Sequence, residues 1–160
     1  MGASGWSYVI PFRGDVSESL RELREQVFRD KDYYWWDDFE EAEPRPATIE
    51  GIWASEEMKQ SGTHSILDVS RVVETTRAPS WDNWREDLGT VRPLAAARVV
   101  RYFGTDRPTR AQFEALSGDY EAPGHREFVD EPAMRGTGRY MLLYEGDTAT
   151  EVAFWGFSGD

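Results

Sequence analysis

Apolar positions recur with helical spacing in the first third of the chain. Val16, Leu20, Leu23 and Val27 are separated by four, three and four residues, which places them on one face of a helix. Asp15 precedes this run, and Glu18 stands three residues later, the spacing at which a carboxylate reaches back to the amide of a capping residue. The pattern predicts an amphipathic helix that begins directly after Asp15.

Three further segments of the first half carry a recognisable pattern. The run WSYVIPF, residues 6–12, is rich in aromatic and β-branched residues and predicts a short strand of the kind found at a sheet edge. Thr48 is suited to cap a second helix over residues 49–59, which Ser61 and Gly62 would end. The alternating segment HSILDVSRVV predicts a strand over residues 64–73.

The second half begins with ETTRAPSWDNWREDLG, which has the composition of a long surface connection carrying two tryptophans. Pro93 is suited to the first position of a helix that continues through LAAARVVRYF to a stop at Gly104. A shorter helix is expected from about Thr109 to Leu116. The segments RYMLLYE and TEVAFWGF flank a GDTA turn and predict a C-terminal β-hairpin.

These elements predict one α+β domain over residues 1–160, with a small mixed or antiparallel sheet and helices packed on one face. A chain of 160 residues has the usual size of a single domain and can bury an ordinary core. The order of the strands within the sheet does not follow from the pattern.

Composition narrows the possible functions. The chain has no cysteine, which excludes disulfides, thiolate nucleophiles and cysteine-ligated zinc. No leader-like or membrane-spanning run is present, so we expect a cytoplasmic protein with no membrane partner. The net charge of −12 disfavours nucleic acid as a partner. The chain also lacks the phosphate-loop, dinucleotide-binding, nucleophile-elbow and HExxH motifs, and no cofactor is expected.

The most unusual local feature is a run of four aromatic residues, Tyr33, Tyr34, Trp35 and Trp36, followed by Asp37 and Asp38. It lies in an acidic region, because residues 30–57 contain ten acidic residues and two basic ones. One hypothesis makes these six residues, together with Trp155, a binding platform. The alternative is a loop that plugs one end of the core. The acidic run lacks the calcium-loop pattern, so no metal site is predicted.

His64 is the candidate catalytic residue, because it lies in the segment SGTHSILD between two hydroxyl side chains and four residues before Asp68. Histidine titrates near neutral pH and is the commonest general acid or base. On one strand, however, His64 and Asp68 would stand roughly 13 Å apart. They would then not form a hydrogen-bonded pair, and the segment is more typical of a helix stop followed by a strand.

Residues 94–116 could alternatively form a helix-turn-helix, whose arginines would contact the phosphates of a nucleic acid. The arginines in question are Arg98, Arg101, Arg107 and Arg110. The strongly negative charge of the whole chain opposes this interpretation.

Five segments, WSYVIPF, DYYW, SGTHSILDV, LGTVRPLAAA and FWGFSGD, together resemble a group of small uncharacterised actinomycete proteins with no established activity. The resemblance extends over most of the chain. The ratio of 16 arginines to 2 lysines fits a GC-rich genome of that kind. The resemblance implies a compartment and a phylum, and it transfers no catalytic residue.

Two functional hypotheses follow. The first is a small acidic interaction protein, like an inhibitor, an immunity protein or a regulator, which binds a partner through its acidic, aromatic-rich loop. The second is a small-molecule enzyme or ligand-binding protein with His64 beside a pocket lined by Tyr33, Tyr34, Trp36 and Trp155. The sequence alone offers no ground for choosing an enzyme.

Overall fold

A computed structural model describes residues 4–159. Five strands form one sheet: β1 (Gly5–Pro11), β2 (Arg71–Val72), β3 (Thr90–Pro93), β4 (Thr137–Glu145) and β5 (Thr148–Phe157). Seven α-helices are described: α1 (Val16–Arg29), α2 (Ile49–Ile52), α3 (Glu56–Ser61), α4 (Trp84–Asp87), α5 (Ala96–Phe103), α6 (Arg110–Ser117) and α7 (His125–Val129). Short 3-10 helices occupy Ile66–Asp68 and Trp81–Asn83.

The strands lie in the order β1-β5-β4-β3-β2. β1 and β4 run antiparallel to β5, whereas β2, β3 and β4 run parallel to one another. The sheet is therefore mixed, and β4 and β5 form the predicted C-terminal hairpin. These observations confirm the α+β class and the single domain.

Helices cover both faces of the sheet, which corrects the prediction that they pack on one. On one face Tyr140 and Phe154 join a core cluster with residues of α1, α2 and α3. On the other face Met141 and Trp155 join a second cluster with residues of α5, α6 and α7. Neighbouring residues of β4 and β5 therefore point into different cores. Runs such as YMLLY and VAFW are apolar at consecutive positions, as expected for strands buried on both sides.

The helix predictions are confirmed in the first half, with one correction. The Asp15 side chain accepts a hydrogen bond from the Glu18 backbone N–H and caps α1 as predicted. Thr48 caps α2 in the same way. The second helix is not continuous, however, because Ser55 takes an extended backbone conformation and caps a separate helix α3. A single helix was therefore the wrong prediction for residues 49–59.

The predicted strand over residues 64–73 is also wrong, because β2 contains only Arg71 and Val72. Positive φ angles at Gly62 and His64, of 73° and 53°, turn the chain where the strand was expected to start. The Ser65 side chain then accepts a hydrogen bond from the Leu67 backbone N–H and caps a 3-10 helix. Local side-chain hydrogen bonds of this kind compete with strand formation.

Strand β3 and helices α4 and α7 were not predicted, and α4 lies within the segment that was expected to be a surface connection. β3 is four residues long and ends at Pro93, so Pro93 closes a strand, and the next helix begins at Ala96 rather than at the proline. Gly104 ends this helix as expected, with φ of 70°. Thr109 caps α6 in a capping box with Gln112, which confirms that helix.

A buried ion pair fixes the segment that leads into β3. Asp87 and Arg92 are only 1% and 2% exposed, and the Arg92 guanidinium contacts the Asp87 carboxylate directly. Arg77 and the Ser80 backbone N–H also donate to Asp87. Hydrogen bonds from Arg77, then from Ser80 and Arg92, hold the pKa of the Asp87 carboxyl well below its usual range. The ionised carboxylate therefore stabilises the folded state.

Replacing Asp87 with Asn should lower the free energy of unfolding by about 3–5 kcal/mol, because Arg92 then remains buried without its counter-charge. The double variant Asp87→Leu/Arg92→Met should be more stable than Asp87→Asn, because no buried charge remains unpaired. Urea denaturation followed by circular dichroism measures both. Equal stability of the two variants would contradict the expectation that an unpaired buried Arg92 destabilises the protein.

The same pair predicts a pH dependence. Since the pKa of Asp87 is depressed in the folded state, its contribution is present above the pKa of an unfolded aspartate, about 4, and decreases as the pH falls below that value. Between pH 7 and pH 3 the wild type should therefore lose more unfolding free energy than Asp87→Asn. Parallel loss in both proteins would show that other carboxylates account for the acid sensitivity.

Glycine at position 156 is required by close packing against Trp6. A Cβ atom there would lie 2.7 Å from Cη2 of Trp6 and closer still to the carbonyl oxygen of Thr137. Gly156→Ala should cost about 1–3 kcal/mol of stability, as overpacking does elsewhere. Gly5→Ala is the control, because the nearest atom to its added Cβ is 3.9 Å away. Similar thermal midpoints for the two variants would refute this packing account.

Candidate functional site

The four consecutive aromatics are divided between the core and its margin. Tyr33 and Trp35 are buried in the cluster beneath α1, whereas Tyr34 and Trp36 are partly buried and pack against it. The Tyr33 ring stacks on Phe28 with centroids 5.9 Å apart. Most of this aromatic surface therefore packs inside the protein. This arrangement agrees with the alternative in which the loop closes one end of the core.

The acidic loop, defined here as residues 36–43, presents a different aromatic side chain, Phe39. Phe39 is 64% exposed. The residues around it are exposed carboxylates: Asp37, Asp38, Glu40, Glu41 and Glu43. Sequence reasoning missed Phe39 because it considered only the four consecutive rings. An isolated aromatic between acids carries no distinct sequence signal.

Hydrogen bonds hold both ends of the acidic loop. The Trp35 indole Nε1 donates to the Glu43 carbonyl over 2.9 Å. Arg45 donates to Asp37 over 2.8 Å and lies over the Tyr33 ring, 4.8 Å from its centroid. Turn hydrogen bonds precede and follow Phe39, whose N–H donates to the Trp36 carbonyl and whose carbonyl accepts from Ala42. The backbone around Phe39 is therefore shaped before any partner binds.

His64 and Asp68 do not lie on one strand, so the expected strand separation does not apply to them. The His64 ring stacks on Tyr34 with centroids 4.9 Å apart. Asp68 accepts hydrogen bonds of 2.7 Å from both the backbone N–H and the hydroxyl of Thr63, and it also bonds the Ser158 hydroxyl. Burial raises the pKa of the Asp68 carboxyl, although the Ser158 and Thr63 hydrogen bonds and the charge of His64 oppose this rise.

This arrangement gives Asp68 a structural role, because its carboxylate joins the 62–65 turn to the C-terminal segment. Gly62 is part of the same packing: a Cβ on it would lie 2.9 Å from one carboxylate oxygen of Asp68. The catalytic role of His64 stays a prediction.

Trp155 lies on the opposite face of the sheet from the acidic loop. It is buried in the second core cluster, and its indole Nε1 donates to the Phe128 carbonyl over 3.2 Å. It also lines a hollow of about 410 Å³ beside His125 and Tyr120. The His125 Nδ1 donates to the Leu116 carbonyl over 2.8 Å. Trp155 therefore cannot share one binding surface with Tyr33–Trp36 in this fold.

A larger concave surface lies beside the SGTHSILD segment, and we name it the tryptophan groove. It encloses about 640 Å³, within the range of small-molecule sites. Its apolar lining comes from Ile49, Trp53, Met58, Leu67, Trp81, Trp84 and Leu88. Trp81 and Trp84 are 56% and 44% exposed, which is unusual for side chains of this size. The sequence placed these two tryptophans in a surface connection but did not indicate a groove.

The charged lining of the tryptophan groove contains more basic than acidic residues, unlike the chain as a whole. It consists of Arg24, Lys59, Arg135, Glu50 and Asp68. Lys59 is paired with Glu56, and the Asp68 oxygens accept the internal hydrogen bonds described above. The Arg24 Nε is buried and has no hydrogen-bond acceptor among residues 4–159. Burial also lowers the pKa of the Arg24 guanidinium, although the charge of Glu50 opposes this.

The arginines of the possible helix-turn-helix are engaged in ion pairs. Arg98 and Arg101 bind Glu127, Arg107 binds Asp147, and Arg110 binds both Glu114 and Glu151. A surface whose cations are paired in this way offers phosphates little free positive charge. Within residues 4–159, no three His, Cys, Asp or Glu side chains are grouped so as to hold a metal ion. No helix in the same range has both the length and the apolar character needed to cross a bilayer.

Comparison with models of known protein families, with curated proteins and with solved structures gave no match.

The buried position of Trp35 and the exposed position of Trp81 predict different effects of their substitution on the free energy of unfolding. Trp35→Ala should lower the free energy of unfolding by about 3–5 kcal/mol, because Trp35 is 7% exposed and lies in the core. Trp81→Ala should cost less than about 1 kcal/mol, because this side chain leaves little cavity behind. Urea denaturation compares the two. A cost for Trp81→Ala as large as that for Trp35→Ala would place Trp81 in the core instead.

Proposed function

We propose that the protein is an acidic interaction protein that binds a basic partner through the acidic loop, with Phe39 as the anchoring side chain. The observation that carries this proposal is the 64% exposure of Phe39 in a loop of exposed carboxylates. A large apolar side chain this exposed contributes little to the stability of the free protein, because little of its surface is buried. It is suited to insert into a partner whose surrounding surface is basic.

Preorganisation supports the same proposal. The Trp35 indole and the Arg45 guanidinium hold the two ends of the loop, and successive turns shape it at Phe39. A partner would therefore have less backbone entropy to remove on binding. Protease–inhibitor complexes commonly form through interface backbones that move little on binding.

Charge supports the choice of a basic partner. The chain carries −12 overall, and the loop concentrates carboxylates next to Phe39. An acidic surface attracts a basic partner from a distance and raises the association rate, an effect that salt screens. Phe39 would then contribute mainly to the lifetime of the complex, because buried anchors slow dissociation.

The experiment uses the full chain as bait for cell extract of its source organism, and the recovered partner is then purified for kinetics. Phe39→Ala should weaken binding by roughly tenfold or more, mainly through faster dissociation. Asp38→Asn/Glu40→Gln/Glu41→Gln should slow association several-fold at low salt and have little effect at high salt. Surface plasmon resonance separates the two rates.

Matched controls lie elsewhere on the surface. Glu18→Gln/Glu22→Gln/Glu25→Gln makes the same charge change on α1, and Tyr120→Ala removes another highly exposed ring. Both should bind as the wild type does. The proposal fails if the partner is acidic, or if the loop variants bind no more weakly than these controls.

A ligand-binding role is a second candidate, favoured by a separate observation. The tryptophan groove includes Gly62 and Asp68 of the SGTHSILD segment, so a concave surface does exist beside this segment. Its aromatic lining is Trp53, Trp81 and Trp84 rather than the predicted Tyr33, Tyr34, Trp36 and Trp155. His64 is not among the described residues that line it, so the groove supports binding and gives no support to catalysis by His64.

A further inference from the structure

We propose that the tryptophan groove binds a small organic carboxylate, whose apolar body packs between Trp81 and Trp84 and whose carboxylate pairs with Arg24. This proposal goes beyond the interaction through the acidic loop and rests on different residues. It assigns the ligand class from the lining of the groove: an apolar wall, exposed rings, and an arginine with unused hydrogen-bonding capacity.

The apolar part of the ligand follows from the exposed rings. Trp81 and Trp84 lie on one short segment together with Leu88, which is 43% exposed. Three large apolar side chains that face one groove would gain from being covered, at about 25 cal/mol per Å² of apolar surface buried. Arg85 lies over the Trp84 ring, 4.8 Å from its centroid, so one face of this ring is already covered.

The negative part follows from charge complementarity. Among the charged residues of the groove, Lys59 is neutralised by Glu56 and Asp68 is satisfied by Thr63 and Ser158. Arg24, Arg135 and Glu50 remain, and none of the three takes part in an ion pair described for residues 4–159. The groove is therefore lined by three basic and two acidic side chains, in a protein whose net charge is −12.

Arg24 has the geometry of an anchor for a carboxylate. It lies on α1, a helix fixed by the core residues Leu20, Leu23 and Val27, so its side chain starts from a rigid position. Its Nε is buried without an acceptor, and an unsatisfied buried donor of this kind costs stability in the free protein. A carboxylate can accept two parallel hydrogen bonds from a guanidinium. A protonated amine would instead offer Arg24 no acceptor.

The probes are 4-phenylbutyrate and its neutral amide, 4-phenylbutanamide, which share one apolar body and differ at the polar end. Titration at pH 7 is followed by two-dimensional amide NMR, in which the indole N–H signals of Trp81 and Trp84 report binding at the groove. The carboxylate should bind roughly tenfold or more tightly than the amide, because hydrogen bonds to a charged group are the stronger ones.

Variants on the same helix then assign the preference. Arg24→Met should reduce the acid-to-amide affinity ratio to about one, and Arg24→Lys should keep part of it. Arg21→Met is the matched control, because Arg21 is exposed on α1 and pairs with Glu18 and Glu25 outside the groove. Trp84→Ala should weaken both probes to a similar extent, since it removes contact with their shared body.

Three results would overturn the proposal: equal affinity of the two probes for the wild type, an acid preference that survives in Arg24→Met, or no saturable shift of either indole signal up to the solubility limit of the probes. Phe39→Ala should leave probe binding unchanged. Loss of partner binding and loss of probe binding are therefore separate outcomes.

Discussion

The structure depends on one constraint, the burial of β4 and β5 on both faces. Each strand sends successive side chains into opposite cores, as Tyr140 and Met141 do on β4. Neither face can be left to solvent, so helices must cover both. This requirement places α1–α3 on one side and α5–α7 on the other, and it leaves the acidic loop and the tryptophan groove at the margins of the first layer. Both candidate surfaces lie on peripheral segments that a rigid centre supports.

Those parts of the fold that depend on local patterns could be predicted from the sequence. The spacing of apolar residues and the cap at Asp15 identified α1, and the turn between two apolar runs identified the hairpin. Tertiary pairing decided the rest. β3 has four residues and is a strand because Val91 and Arg92 pair with β4, and no local pattern reveals such a partner. The two-sided burial was visible in the apolar runs of β4 and β5, yet their length alone does not show which elements cover them.

The candidate surfaces were harder to predict, for a physical reason. The four consecutive aromatic residues were the candidates for a binding surface, but Trp35 lies in the core. The isolated Phe39 and Trp81 are exposed instead. The exposure of a side chain depends on the complete fold, so it cannot be predicted from the identity of one residue. Arg24 shows this most clearly. Its sequence neighbourhood is an ordinary solvated helix face, and only the approach of distant residues such as Trp53 and Leu88 turns it into part of a groove.

The pairing of β1 with β5 has a consequence for how the protein is made. β1 leaves the ribosome before the other four strands of the sheet, but its antiparallel partner β5, residues 148–157, is the last of the five to emerge. Until β5 emerges, Trp6 and Ile10 have no strand to pair beside, and the apolar face of α1 has only part of its core. Helices α1 and α5 can form early, but the sheet closes late. The nascent chain must therefore carry exposed apolar surface until β5 emerges, a period in which its many carboxylates would help to keep it from aggregating.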